Sequence, residues 1–175
     1  MVKIDNAKAE VNETYNMLKP IVKETVAKNC KEIDIIINNI KKNLTNLSNK
    51  ELQDYMLQLS IETYMFAERK DMSLLMQECA ISISKSSQAS VFNSTVGTQS
   101  VRNNQAIVDT LDKQTVAMIQ NAIANCMKSK LDEAHRIVNV LSSILISKNA
   151  ENKLKGVRED DERDLHNHGV PRTQS

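Results

Sequence analysis

The chain has 175 residues, with 23 lysines and arginines against 22 aspartates and glutamates, no tryptophan, two phenylalanines, three glycines and two prolines. It is long enough to bury a core, but must do so with aliphatic side chains, and so few turn residues exclude a sheet of many short strands. The balanced charge excludes a uniformly basic nucleic-acid binder, so any such surface is confined to one region.

The first helix candidate opens near Asp5 and carries Ala7, Val11, Tyr15 and Leu18 at helical spacing. Pro20 interrupts it. Proline lacks an amide hydrogen and disfavours helix at the residue before it, so a boundary is expected at Lys19, with a kink in one longer helix as the alternative. Val22, Val26, Cys30, Ile33, Ile37, Ile40 and Leu44 then advance by threes and fours, the stripe of an amphipathic helix. The stretch TNLSNKEL predicts a new start: Ser48 caps, Glu51 completes a capping box, and Leu47 staples against Leu52.

From Ser48 the helical pattern meets no breaker until about Phe92. One of its stripes is Met65, Met72, Met76, Cys79 and Ile83, whose spacing predicts core, with an adaptable partner groove as the alternative. Gly97 marks a turn near residues 94–100. A return helix, capped by Ser100 or Thr98, carries Val116, Ile119, Ile123, Met127, Leu131, Ala134, Val138, Leu141 and Leu145, close to a heptad seam. Two long helices on so short a loop fold back antiparallel. Their apolar edge exceeds what two helices hide, so a homo-oligomer is expected. Beyond Asn149 the composition turns to dense charge with the remaining glycines and proline. The expected organisation is all-α: N-terminal helices over 1–47, a long hairpin over 48–149, and a charged tail, flexible or ordered by a partner, over 150–175.

No catalytic pattern stands out. GxGxxG, GxxxxGK, HExxH and a nucleophile elbow are all missing, and three glycines build no phosphate cradle. His135 lies beside Asp132 and Glu133 as a surface residue, and His166 and His168 have no third ligand near in sequence. Neither enzyme activity nor a cofactor or metal is expected. Cys30, Cys79 and Cys126 form no CxxC pair, which points to a reducing compartment and to cysteines acting as small buried hydrophobes. No run approaches ~18 apolar residues, and MVKIDNAKAE lacks the apolar stretch of a signal peptide. The expected location is the cytoplasm, without membrane contact.

Between Glu78 and Asp109 lie thirty residues without a carboxylate side chain, half of them Ser, Thr, Asn or Gln. Lys85 and Arg102 add positive charge. Hydroxyls, amides and helix amino-termini are groups that touch a nucleic-acid backbone without reading bases. Phe92 is placed either to stack on a base or to pack the hairpin end. Several copies would multiply two cations into a salt-sensitive site.

The stretch IETYMFAERKDMSLLMQECAISISKSSQASVFNSTVG resembles the long helix of the UvsY-type phage recombination mediators, with its basic, aromatic segment before a glycine turn. TQSVRNNQAIVDTLDKQTV is similar to the helix that returns, and LDEAHRIVNVLSSIL to the closing helix associated with oligomerisation. The likeness spans about residues 50–150. It implies a non-enzymatic oligomer that binds single-stranded DNA and assists a RecA-like recombinase in displacing single-strand binding protein. It also implies Lys85 as a DNA contact, Phe92 as a stacking residue, Arg102 by proximity, and Leu131, Val138, Leu141 and Leu145 as subunit contacts. The family's paired tyrosines are Val91-Phe92 here, and its arginine shortly after Lys85 falls near Ser87. The competing class is a scaffolding or virion coiled-coil protein, or a protein-binding inhibitor, acting through helix contacts alone.

Overall fold

The computed structural model describes residues 2–167, and the side-chain surroundings of residues 12–154. It is all-α: α1 (Val2–Asn43), α2 (Asn49–Ser94), α3 (Gln99–Asp109) and α4 (Leu111–Asn167), with no strand among the described residues. At 1.5 Å per residue, α2 is roughly 69 Å long.

The start of α2 follows the local chemistry of its sequence. The Ser48 amide donates to Glu51 Oε2 at 2.8 Å, and the Glu51 amide donates to Ser48 Oγ at 3.3 Å. Leu47 and Leu52, flanking the cap, are both buried, so the staple closes over the box. The Ser48 hydroxyl, and then its backbone amide, hold the Glu51 carboxyl below the ordinary range.

α2 reverses into α3 and α4 through the turn at Gly97, whose φ of +137° suits glycine and strains other residues. α1 packs against both long helices near the end opposite that turn, parallel to α4 and antiparallel to α2. The core sits there: Cys30, Ile33, Ile37 and Ile40 of α1 meet Leu52, Leu59 and Phe66 of α2 and Ile123, Met127, Ala134 and Leu141 of α4. Lys130 bridges Asp34 and Glu133 at 2.8 Å each, and Glu133 also takes Lys41 at 2.9 Å, which sets the register of α1 on α4. Beyond Phe66 the molecule narrows to a stalk. At the level of Ser73 of α2, Ile123 and Ala124 of α4 are buried, and closer to the tip the described buried positions are small, Ser84 of α2, Ala106 of α3 and Thr110.

Several expectations change. α1 runs unbroken through Pro20, because the one amide lost costs less than ending a helix whose stripe continues on both sides. The return arm is split at Thr110, whose hydroxyl donates to the Ala106 carbonyl at 2.7 Å while Gln114 Nε2 reaches the Ile107 carbonyl at 3.0 Å. These side-chain bonds replace ladder bonds and let the helix restart. α4 continues past Asn149 to Asn167, so the backbone of the tail's first part extends the helix. The surroundings of His166 and residues 168–175 lie outside the described set. Cys30 is buried, but Cys79 and Cys126 are exposed. Met65, Met72, Met76 and Ile83 are each more than half exposed. The stripe predicted as core is therefore an open face, since α4 occupies a different side of α2.

Leu141 is fully buried, and Leu131, Val138 and Leu145 pack against the same core. These four residues, assigned to subunit contacts by resemblance, thus face the chain's own α1 and α2. The seam closes on itself because α4 is the helix that α1 and α2 share.

Candidate functional site at the hairpin tip

The turn is fastened by capping. The last turn of α2 leaves carbonyls without helical partners, and Thr95 satisfies that of Val91 twice, through its amide at 2.9 Å and its hydroxyl at 2.7 Å. Across Gly97, Thr98 is the cap of α3 and accepts the Val101 amide at 3.4 Å. Of the two capping candidates read from the sequence, Thr98 takes the role. Val96 projects almost entirely into solvent.

Two of the three predicted tip residues meet. The guanidinium of Arg102 lies 4.1 Å from the centroid of the Phe92 ring, and Arg102 Nε donates to the Phe92 carbonyl at 2.9 Å. A cation over an aromatic face is attractive by about 0.5–2 kcal/mol, and here the same residue satisfies a carbonyl of the last turn. Arg102 thus holds α3 against the end of α2, and both side chains are half-buried. Lys85 is exposed, seven residues before Phe92, so it lies on the same face of α2 about 10 Å lower. The face reads cation, aromatic, cation, among hydroxyl and amide side chains.

Lys113 was not singled out by sequence reasoning. Its Nζ donates to Ser87 Oγ at 2.9 Å, tying the start of α4 to α2 across 26 residues. Ser87 is two residues past Lys85, about 200° around the helix, so Lys113 marks the opposite flank. No local pattern reveals such a contact, which exists only once the arms are registered. His135 is exposed on α4 as expected. No group of three His, Cys, Asp or Glu side chains converges among the described residues, and no described helix is long and apolar enough to cross a membrane.

Two apolar clefts flank the stalk. One, of about 840 Å³, lies between α1 and α4 and is lined by Tyr15, Leu18, Val22, Met118, Ala122 and Cys126 among others. The second, of about 420 Å³, lies between α2 and α4, where Met76, Cys79, Ile83, Val116 and Gln120 form much of its wall.

No protein-family model, no curated protein and no solved structure matches this chain.

Proposed function

We propose that the chain is a non-enzymatic accessory protein that self-associates and presents its hairpin tip to single-stranded DNA, in the manner of a phage recombination mediator assisting a RecA-like recombinase. The observation that carries this reading is the carboxylate-free tip, with Lys85, Phe92 and Arg102 on one side of it. A phosphate backbone approaching there meets two cations and many neutral hydrogen-bond donors, and Glu78, the carboxylate that shares the surface around Lys85, lies on the side away from the turn. The Phe92 ring is covered on one face by Arg102, so base contact is with the outer plane of the guanidinium or the free edge of the ring.

The test is anisotropy of a labelled oligodeoxythymidine titrated with the protein at several salt concentrations. Lys85→Ala is expected to weaken binding and to flatten the log–log salt slope by about 0.7 per copy engaged. Ser86→Glu, which places a carboxylate beside Lys85 at an exposed position, is expected to weaken it further. Absence of binding at low salt, or indifference to both substitutions, rejects the reading.

A second reading is favoured by one specific feature, the open methionine face of α2. A scaffolding protein that works by helix contacts would use that face and leave the tip in solvent. Under this reading the purified protein carries protein partners and no nucleic acid, and the anisotropy titration stays flat.

A further inference from the structure

The seat that holds α1 at the base of the molecule does not end where α1 leaves it. On α4, Val116 and Gln120 stand seven residues before the buried Ile123 and Met127, so they continue the same inward-facing line toward the tip. On α2, Arg69 donates to the Asn29 carbonyl of α1 at 3.2 Å. Met76 and Ile83 follow Arg69 at intervals of seven and prolong the side of α2 that faces α1. These are the residues of the α2–α4 cleft, and none of the described α1 side chains (residues 12–43) lines it.

The α1 stripe likewise outruns its contacts. Ile33, Ile37 and Ile40 are buried, Val26, Val22 and Leu18 are half-buried, and Tyr15 is 56% exposed. The cause is legible in its spacing. Leu18, Val22, Val26 and Cys30 are separated by three successive steps of four, and each such step carries the apolar line about 40° around a helix of 3.6 residues per turn. The stripe rotates away from a groove that keeps heptad spacing. At this level α1 lines only the cleft against α4, with Tyr15, Leu18 and Val22 facing Met118, Ala122 and Cys126.

We propose that the α2–α4 cleft is the seat of the segment of α1 around Leu18 from a second copy of this chain, in a reciprocal exchange. The two surfaces left open in one copy continue the two surfaces that pair at its base, so each copy holds both halves of the missing contact. α1 is continuous through Pro20 and has no loop at which this segment could fold back over its own groove. A rigid helix leaving its groove reaches a neighbour instead. α1 lies parallel to α4 at the base, and the same orientation in the partner's seat makes the two stalks parallel. Both tips then stand at one end of the assembly, which multiplies contacts to a shared strand. This inference rests on the proposed self-association and names its seat.

The native cysteines supply the test. A thiol at position 18 shares the α1–α4 cleft with Cys126 within one chain and would face Cys79 of the second copy in the exchange, while Cys30 is buried. Full-length protein carrying Leu18→Cys and Cys126→Ser is treated with a short bismaleimide and separated under denaturing conditions. A covalent dimer that disappears when Cys79→Ser is added, and equally when position 18 is left as leucine, supports the proposal. In parallel, Ile83→Glu is expected to weaken association roughly ten- to a hundredfold in sedimentation equilibrium, with unchanged helix content. A cross-link that stays within one chain overturns the exchange. So does a dimer in sedimentation without Cys79-dependent cross-linking, which leaves self-association standing through another surface. A monomer at every concentration overturns both.

Discussion

Ser73 turns a small side chain into the α2–α4 interface of the stalk, where it is 7% exposed and its hydroxyl has no hydrogen-bond partner. A buried hydroxyl without a partner costs about 1–3 kcal/mol, whereas alanine fits the same space and is the better helix former. Ser73→Ala is therefore expected to stabilise the protein by about 1 kcal/mol, read as a higher midpoint in urea. Gly97 has the opposite sensitivity. At φ +137°, an added Cβ would stand 3.3 Å from Val101 Cγ1, and a non-glycine residue held in such a region costs about 1–3 kcal/mol. Gly97→Ala is expected to lower the urea midpoint accordingly and to loosen the Arg102–Phe92 contact, since the turn brings them together. Gly97 was identifiable in the sequence because it stands alone between long helical patterns. Ser73 was not, because only the neighbouring helix makes its hydroxyl buried.

α1 is the element whose docking depends on charge. The ion pair with Lys130, and then that with Lys41, hold the Glu133 carboxyl below the ordinary range. Burial pushes Lys130 down, but its bonds to Asp34 and Glu133 outweigh that and leave it raised. The Glu133 contribution is present above the ordinary carboxylate pKa and is lost as pH falls through its lowered value. The Lys130 contribution is complete below the ordinary lysine value and is lost as pH rises through its raised one. Between those limits α1 sits tightest. Exposed and half-exposed pairs contribute little individually, so Glu133→Gln is expected to cost about 1 kcal/mol. It should also remove much of the acid dependence, measured as labelling of Cys30 by a pyridyl disulfide. Cys30 is a suitable reporter because it lies on the inner face of α1 and is fully buried against α2 and α4. Burial first, then the Asp34 carboxylate, pushes its thiol up to about 11. That thiol stays neutral in the fold where the unfolded chain ionises, so its contribution declines as pH rises from the ordinary thiol range through about 11.

For the molecule as a whole, stability is graded along its length. Three helices bury large aliphatic side chains toward the base, whereas the described buried positions nearest the tip, Ser84, Ala106 and Thr110, are small. Hydrophobic stabilisation follows the apolar area removed from water. Amide hydrogen exchange is therefore expected to be slowest around Ile33–Ile40, Leu52–Phe66 and Ile123–Leu141, and faster from Ser73 to the tip. Uniform protection along α2 would contradict that gradient. Association through the open face of α2 should slow exchange in the stalk as protein concentration rises.

What the amino-acid sequence determined by itself is whatever depends on neighbours along the chain. The capping box at Ser48, the stapling leucines, the helical periods, the turn at Gly97 and the carboxylate-free tip are all of this kind, because each is a relation among residues a few positions apart. Tertiary structure decided which stripe of a long helix is inside. The methionine stripe of α2 and the leucine seam of α4 have equally regular spacing, yet one lies open and the other is core. Periodicity states that a face is apolar, and only the placement of a second helix against one side of α2 makes a face buried. The same distinction governs the tip, where Lys85 was found by its position in a local pattern and Lys113 by a contact that exists only when the two arms lie side by side.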